Sequence, residues 1–177
     1  MRLCMTNKSL KVIYYLGEGE TENQLKRSLN LRGNFQVFNI WEKDISRLIR
    51  SFERSSEIII FVDADQCNVN GCIDRFTSNI NCLISQKFIV RVLVQVNNLE
   101  DEIINEFVNS KTAFKVFNVR NKSELKRAIT KVTNLERLLS GSSFDANRLW
   151  IKDHSVLDRI CSSYRANHSQ LIKNRFK

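Results

Sequence analysis

Three carboxylates stand where this chain could do chemistry. Glu18 follows an apolar run in "KVIYYLGEGETE", and Asp63 and Asp65 close "EIIIFVDAD". Glu100 and Asp101, in "VNNLEDE", follow another apolar run and are a further source of carboxylate. In a D-x-D at a strand end, both aspartates can face one side once the chain begins to turn, and Ala64 is too small to obstruct them. Clustered carboxylates repel one another unless cations neutralise them. Hard oxygen donors with open positions suit Mg²⁺ or Mn²⁺, and such an ion polarises a phosphodiester and activates water. Gly17 and Gly19 would let the backbone approach a phosphate, and a helix N-terminus directly after them would favour an anion. Some of these acids have a plainer role open to them. Carboxylates stabilise the first turn of a helix through its dipole, and Glu20 and Glu22 need do nothing else; the same holds for Glu100.

The elements that would position these residues are legible as an alternation. Five apolar runs rich in Val, Ile and Phe occupy residues 12–16, 35–40, 58–62, 88–96 and 114–119. Helical patterns separate them. "EIIIFVD" is apolar on both faces, as a central parallel strand is. "TENQLKRSLNL" opens with Thr21 and Gln24 at capping-box spacing. "KDISRLIRSFER" puts Ile45, Leu48, Ile49 and Phe52 on one stripe, and "CIDRFTSNINCLI" does the same with Ile73, Phe76, Ile80 and Leu83. "NKSELKRAITKVTNLERLL" carries Leu125, Ile129, Val132 and Leu135, with Asn121 and Glu124 spaced to cap it. The pattern predicts an α/β fold: a mostly parallel central sheet of four to five strands, helices on both faces and right-handed crossovers. Ligands of such sheets bind beyond the carboxyl ends of the strands, where Glu18 and the D-x-D lie. After Leu139, "SGSSFDANRLW" reads as a loop, "DHSVLDRICSSY" as a helix and "RANHSQLIKNRFK" as a basic end that frays. Residues 1–140 are thus expected to form the α/β domain and 141–177 a helical basic extension.

The chain has 177 residues, no proline and a formal net charge of +9. That excess favours an acidic partner, nucleic acid first, over a merely solvated basic surface. Lys122, Lys126, Arg127 and Lys131 on the last long helix, with Arg165, Lys173, Arg175 and Lys177 in the tail, are the candidates to track a phosphate backbone. Five scattered cysteines without a C-x-x-C pair, and only two histidines, exclude a zinc cluster and suit a reducing compartment. The cysteines read as small buried hydrophobes. No run is long enough to cross a membrane and the start lacks a signal-peptide core, so a cytoplasmic protein without membrane association is expected. No Ser/His/Asp or Cys/His arrangement is legible. Tyr14 and Tyr15 read as packing residues, and Trp41 and Trp150 as core. The oligomeric state is left open, a homodimer included.

Glu18-Gly19 after the first strand, with Asp63-Ala64-Asp65 after the third, resembles the Toprim domain of topoisomerases, primases and related nucleases. The likeness covers roughly residues 11 to 120. "GEGETE" is similar to the E-G-x-T-E form of small stand-alone bacterial and phage Toprim proteins. The resemblance implies a Rossmann-like Toprim fold and a nuclease dependent on Mg²⁺ or Mn²⁺ that cleaves DNA or RNA. It implies Glu18 as general acid/base or metal ligand and Asp63 and Asp65 as metal ligands, with Glu100 or Asp101 as a further ligand. Some relatives act in antiphage defence and some beside an ABC-type ATPase. The alternative it leaves is a non-catalytic nucleic-acid-binding or effector subunit of such an ATPase. Cys67 stands where a longer D-x-D-x-D motif has its third acid, which sets this chain apart from topoisomerases and primases.

Overall fold

In the computed structural model, which describes residues 11–173, four strands form one all-parallel sheet. They are β1 (Ile13–Gly17), β2 (Asn34–Val37), β3 (Glu57–Asp63) and β4 (Ile89–Gln95), in the order β2-β1-β3-β4. The helices are α1 (Glu20–Ser28), α2 (Cys72–Ser85), α3 (Leu99–Asn105), α4 (Ser110–Phe117), α5 (Lys122–Lys131), α6 (Leu135–Ser140), α7 (Ser155–Cys161) and α8 (His168–Lys173). This is the expected α/β fold, with a Rossmann-like parallel sheet of four strands.

The apolar run of β3 explains its place in the middle. Ile58, Ile60 and Val62 point into one core, with Phe76, Ile80 and Leu83 of α2 and Leu157 of α7. Ile59 and Phe61 point into the other, with Leu25 of α1, Ile103 of α3, Phe117 of α4 and Leu125 of α5. Period-two alternation thus feeds two hydrophobic layers, each fully buried aliphatic side chain contributing about 1.5–3 kcal/mol. β1 lies beside β3 with Leu16 opposite Ile60, so Glu18 and Asp63 leave the sheet at the same edge.

The run 114–119 is not a fifth strand. Residues 110–117 form α4, because Asn109 caps its start by accepting from the Thr112 N–H at 2.8 Å, and Ala113 and Phe117 are buried four residues apart. Asn118, at φ 53°, ends the helix in the left-handed region. Helical spacing within a short apolar run decided against a strand here. The segment "KDISRLIRSFER" is not a helix either, apart from a single 3₁₀ turn, Leu48–Ser51. Its apolar residues still reach the core. Its backbone is held by Asn79 of α2, whose amide donates to the carbonyls of Ile40 and Lys43 at 2.8 Å and whose Oδ1 accepts from the Ile45 N–H at 3.0 Å. Three hydrogen bonds from one buried side chain replace the ladder a helix would supply. Asn79→Leu should lower stability by roughly 2–4 kcal/mol, since it strands buried backbone groups; urea denaturation measures it.

The long helical pattern after Asn121 divides in two. Asn121 caps α5 as expected, accepting from the Glu124 N–H at 3.0 Å. At Val132 the backbone turns extended, and its carbonyl accepts from Gln24 of α1 at 2.9 Å. Asn134 then caps α6. Gln24 is therefore not half of a capping box with Thr21; it ties α1 to the α5–α6 break.

The segment after residue 140 belongs to the same two cores. Leu149, Trp150, Ala166 and Leu171 join one, and Leu157 and Cys161 the other. The Ala166 N–H donates to the Val92 carbonyl at 2.9 Å, docking the chain on β4. Trp41 and Trp150 are buried, as are Tyr15 and the thiols of Cys67, Cys72 and Cys161. Tyr14 packs on Phe52 with ring centroids 4.4 Å apart. No helix among the described residues is long and apolar enough to cross a membrane.

Candidate functional site

The carboxyl edge of β1 and β3 is where the acids gather. β1 ends at Gly17, and the chain turns at Gly19, which caps α1. Glu18, between them, is half-buried, and its Oε1 is sealed from solvent with no hydrogen-bond partner among the described residues. β3 ends at Asp63, and a 3₁₀ turn carries Asp65 outward into solvent, where Gln66 donates to its Oδ1 at 3.2 Å.

The two glycines serve packing and capping. A Cβ on Gly17 would lie 2.9 Å from the Phe35 ring and 3.2 Å from the Cβ of Glu22. Its bareness lets α1 lie close over the strand end. The Gly19 N–H is already spent, donating to Glu22 Oε2 at 3.1 Å. The expected openness of this loop to a phosphate is therefore reduced at both positions.

Glu22 is the residue that the sequence reading passed over. It is buried, and its carboxylate acts on Asp63 ahead of that of Glu18. Glu20, by contrast, is exposed and pairs with Asn23 and Arg27. The signal lay within α1: Glu20 and Glu22 are two residues apart on the helix and so face different sides, Glu22 inward and Glu20 outward.

Electrostatics single out Asp63. Burial first, then the charges of Glu22, Glu18, Asp65 and Glu100, push its carboxyl up to about 8. Burial also raises Glu18, with Asp65 and Glu42 adding to it and Lys126 opposing. Glu22 rises through burial and the nearby Glu18 and Glu100, against its backbone hydrogen bonds. Five carboxylates thus feel one another across β1, β3, α1 and α3. Their summed charge disfavours ionisation at Asp63 above all. As they stand, no three acidic, histidine or cysteine side chains among the described residues are drawn into a ready coordination cluster.

Glu100 is buried at the start of α3, and Lys126 of α5 approaches it at 3.8 Å. Asp101, its neighbour, accepts from Lys122 at 2.6 Å. The two lysines therefore flank the acidic edge as partners of α3. Arg127 and Lys131 are exposed on the same helix. Arg165 belongs elsewhere. Its guanidinium pairs with Asp158 and donates to the Lys152 carbonyl at 2.6 Å, with only 14% of the side chain exposed. It is committed to holding the C-terminal segment against β4. Arg165→Ala should accordingly lower the melting temperature by several degrees, because Asp158 loses its ion-pair partner; a thermal melt measures it. Lys173 ends α8, while Arg175 and Lys177 lie outside the described residues.

In comparisons with protein-family models, curated proteins and solved structures, none matched this chain.

Proposed function

We propose that the protein is a Toprim-type, divalent-cation-dependent nuclease that cleaves phosphodiester bonds in DNA or RNA. The observation that carries this reading is the meeting of Glu18, Glu22, Asp63 and Asp65 at the carboxyl edge of two adjacent parallel strands, with Asp63 forced towards its neutral form. Groups driven this far from their ordinary ionisation cluster at functional sites.

The donor chemistry suits a hard divalent cation, which would have to draw these acids together: all are carboxylate oxygens, and among the described residues one Glu18 oxygen is buried without a hydrogen-bond partner. Asp63 and Asp65 would hold Mg²⁺ or Mn²⁺, with Glu22 and Glu100 beside them. When bound, the cation would supply neutralising charge and Lewis-acid polarisation of a phosphodiester. Glu18 would carry the proton traffic. Its raised affinity for protons brings it nearer to working pH, where an acid/base group is most effective. Lys122 and Lys126, at the rim, would meet the flanking phosphates.

The test is incubation of the purified protein with plasmid, single-stranded DNA, total RNA and tRNA in Mg²⁺, Mn²⁺ or EDTA. Cleavage that requires a cation is the expected result. Tight binding of nucleic acid with no cleavage under any condition would favour the non-catalytic effector, working with a partner such as an ABC-type ATPase. The excess of 28 Lys and Arg over 19 Asp and Glu also sets the salt response. Affinity for nucleic acid should fall linearly on a log–log plot against salt, with a slope of about −0.7 to −0.9 per phosphate contacted; fluorescence anisotropy measures it.

A further inference from the structure

Gln95 ends β4 directly opposite Asp63 of β3. Paired residues of neighbouring strands share a face of the sheet. Leu93, two residues earlier, lies in the core that contains Ile59 and Phe61. Gln95 is thus turned to the side on which α1 and α3 bring Glu22 and Glu100 to bear on Asp63. It is fully buried, at 0% exposure, and among the described residues neither Oε1 nor Nε2 of its amide has a hydrogen-bond partner.

Such an arrangement costs folding free energy, since a buried amide gives up water and receives nothing. Leucine or methionine would occupy the place without that loss. Other polar side chains near this core keep at least one partner: Glu102 accepts from the Trp150 N–H at 2.7 Å through one oxygen, Glu106 pairs with Arg148, and Gln24 donates to Val132. At Gln95, beside Asp63, both polar atoms of the amide are bare. An amide there has chemistry that a further acid or an aliphatic side chain lacks. It can donate to a carboxylate without adding negative charge, and its carbonyl can accept from water.

We propose that Gln95 is a positioning residue of the carboxylate site, its amide making its hydrogen bonds to Asp63 and to the hydration shell of a divalent cation held there. This rests on the reading of the site as a cation site. Partners of this outer kind orient the ligating groups, and their loss typically weakens metal affinity 10- to 100-fold.

The experiment compares wild type with Gln95→Met, which keeps chain length and removes both polar atoms, and with Val94→Ala, which opens a gap on the opposite face. Mn²⁺ affinity is measured by titration calorimetry and metal-free melting temperature in EDTA. Gln95→Met should bind Mn²⁺ about 10- to 100-fold more weakly while its metal-free melting temperature is unchanged or higher. Val94→Ala should melt lower and bind Mn²⁺ like wild type. If Gln95→Met binds Mn²⁺ as wild type does, or fails to fold in EDTA, the amide serves the fold alone and the inference on Gln95 is overturned. If wild type itself binds no Mn²⁺, the cation-site reading falls, and this inference with it.

Discussion

Glu18→Gln is expected to abolish nucleic-acid cleavage, with a loss of at least ~100-fold, while the protein stays folded. The substitution keeps the shape at the β1 exit and removes both charge and proton-transfer capacity, and general acid/base groups commonly contribute factors of this size. Folding should not suffer. The glutamate is destabilised by burial and by Asp65 and Glu42, so neutralising it relieves repulsion. Glu20→Gln is the internal control, because Glu20 is exposed and engages Asn23 and Arg27. Glu22→Gln should fall nearer to Glu18→Gln than to Glu20→Gln. Its amide oxygen can still accept from the Gly19 N–H, but the charge beside Asp63 is gone. Cleavage by the four proteins at matched concentration decides the matter. Wild-type activity in Glu18→Gln would reduce the stretch to a helix start and remove the nuclease reading.

The second large effect is on stability in the absence of cations. Asp63 has its carboxyl raised from 3.8 to about 8 in the fold, chiefly by burial and then by Glu22, Glu18, Asp65 and Glu100. The folded state therefore holds this proton more tightly than the unfolded chain does. Its contribution is fully present below the unfolded value, near pH 4, and is lost as pH rises through about 8. Glu18, Glu22, Glu102 and Glu106 are raised as well and add in the same direction. In EDTA the melting temperature should thus fall between about pH 5 and 8. At pH 7 the cost from Asp63 alone is on the order of 4 kcal/mol, at 1.36 kcal/mol per pH unit. Asp63→Asn should recover much of it and flatten the profile, although it lacks the charge to hold a cation. Mg²⁺ should stabilise wild type more as pH rises, since binding must displace the proton. Melting curves across pH, with and without Mg²⁺, measure all three. A flat metal-free profile for wild type would mean that Asp63 ionises freely and that the site is not strained.

Regular structure was legible wherever local chemistry and tertiary demand agreed. "EIIIFVD" is apolar at every interior position, and only a strand covered on both faces can use such a run. Asn121 and Glu124 bear the cap of α5 in their own side chains. The misreadings share a cause. Residues 114–119 are apolar enough for either period, and it was the cap at Asn109, outside the run, that settled on a helix. "KDISRLIRSFER" has a good helical stripe, but Asn79, distant in sequence, took over its backbone hydrogen bonds. The break at Val132 likewise depends on Gln24 from another helix.

The types of residue at the site, their place at strand ends and the direction of the net charge follow from the sequence itself, because each is carried by neighbours along the chain. Only the tertiary structure decided which acids face one another. It brought Glu22 over the bare Gly17 onto Asp63, turned Glu20 away, set Lys122 beside Asp101 at the rim and drew Arg165 inside. It also set the buried amide of Gln95 beside Asp63, from a strand that begins more than twenty residues later. Electrostatic coupling and desolvation depend on distance through space and on what excludes water, and neither is written in the order of residues along one segment.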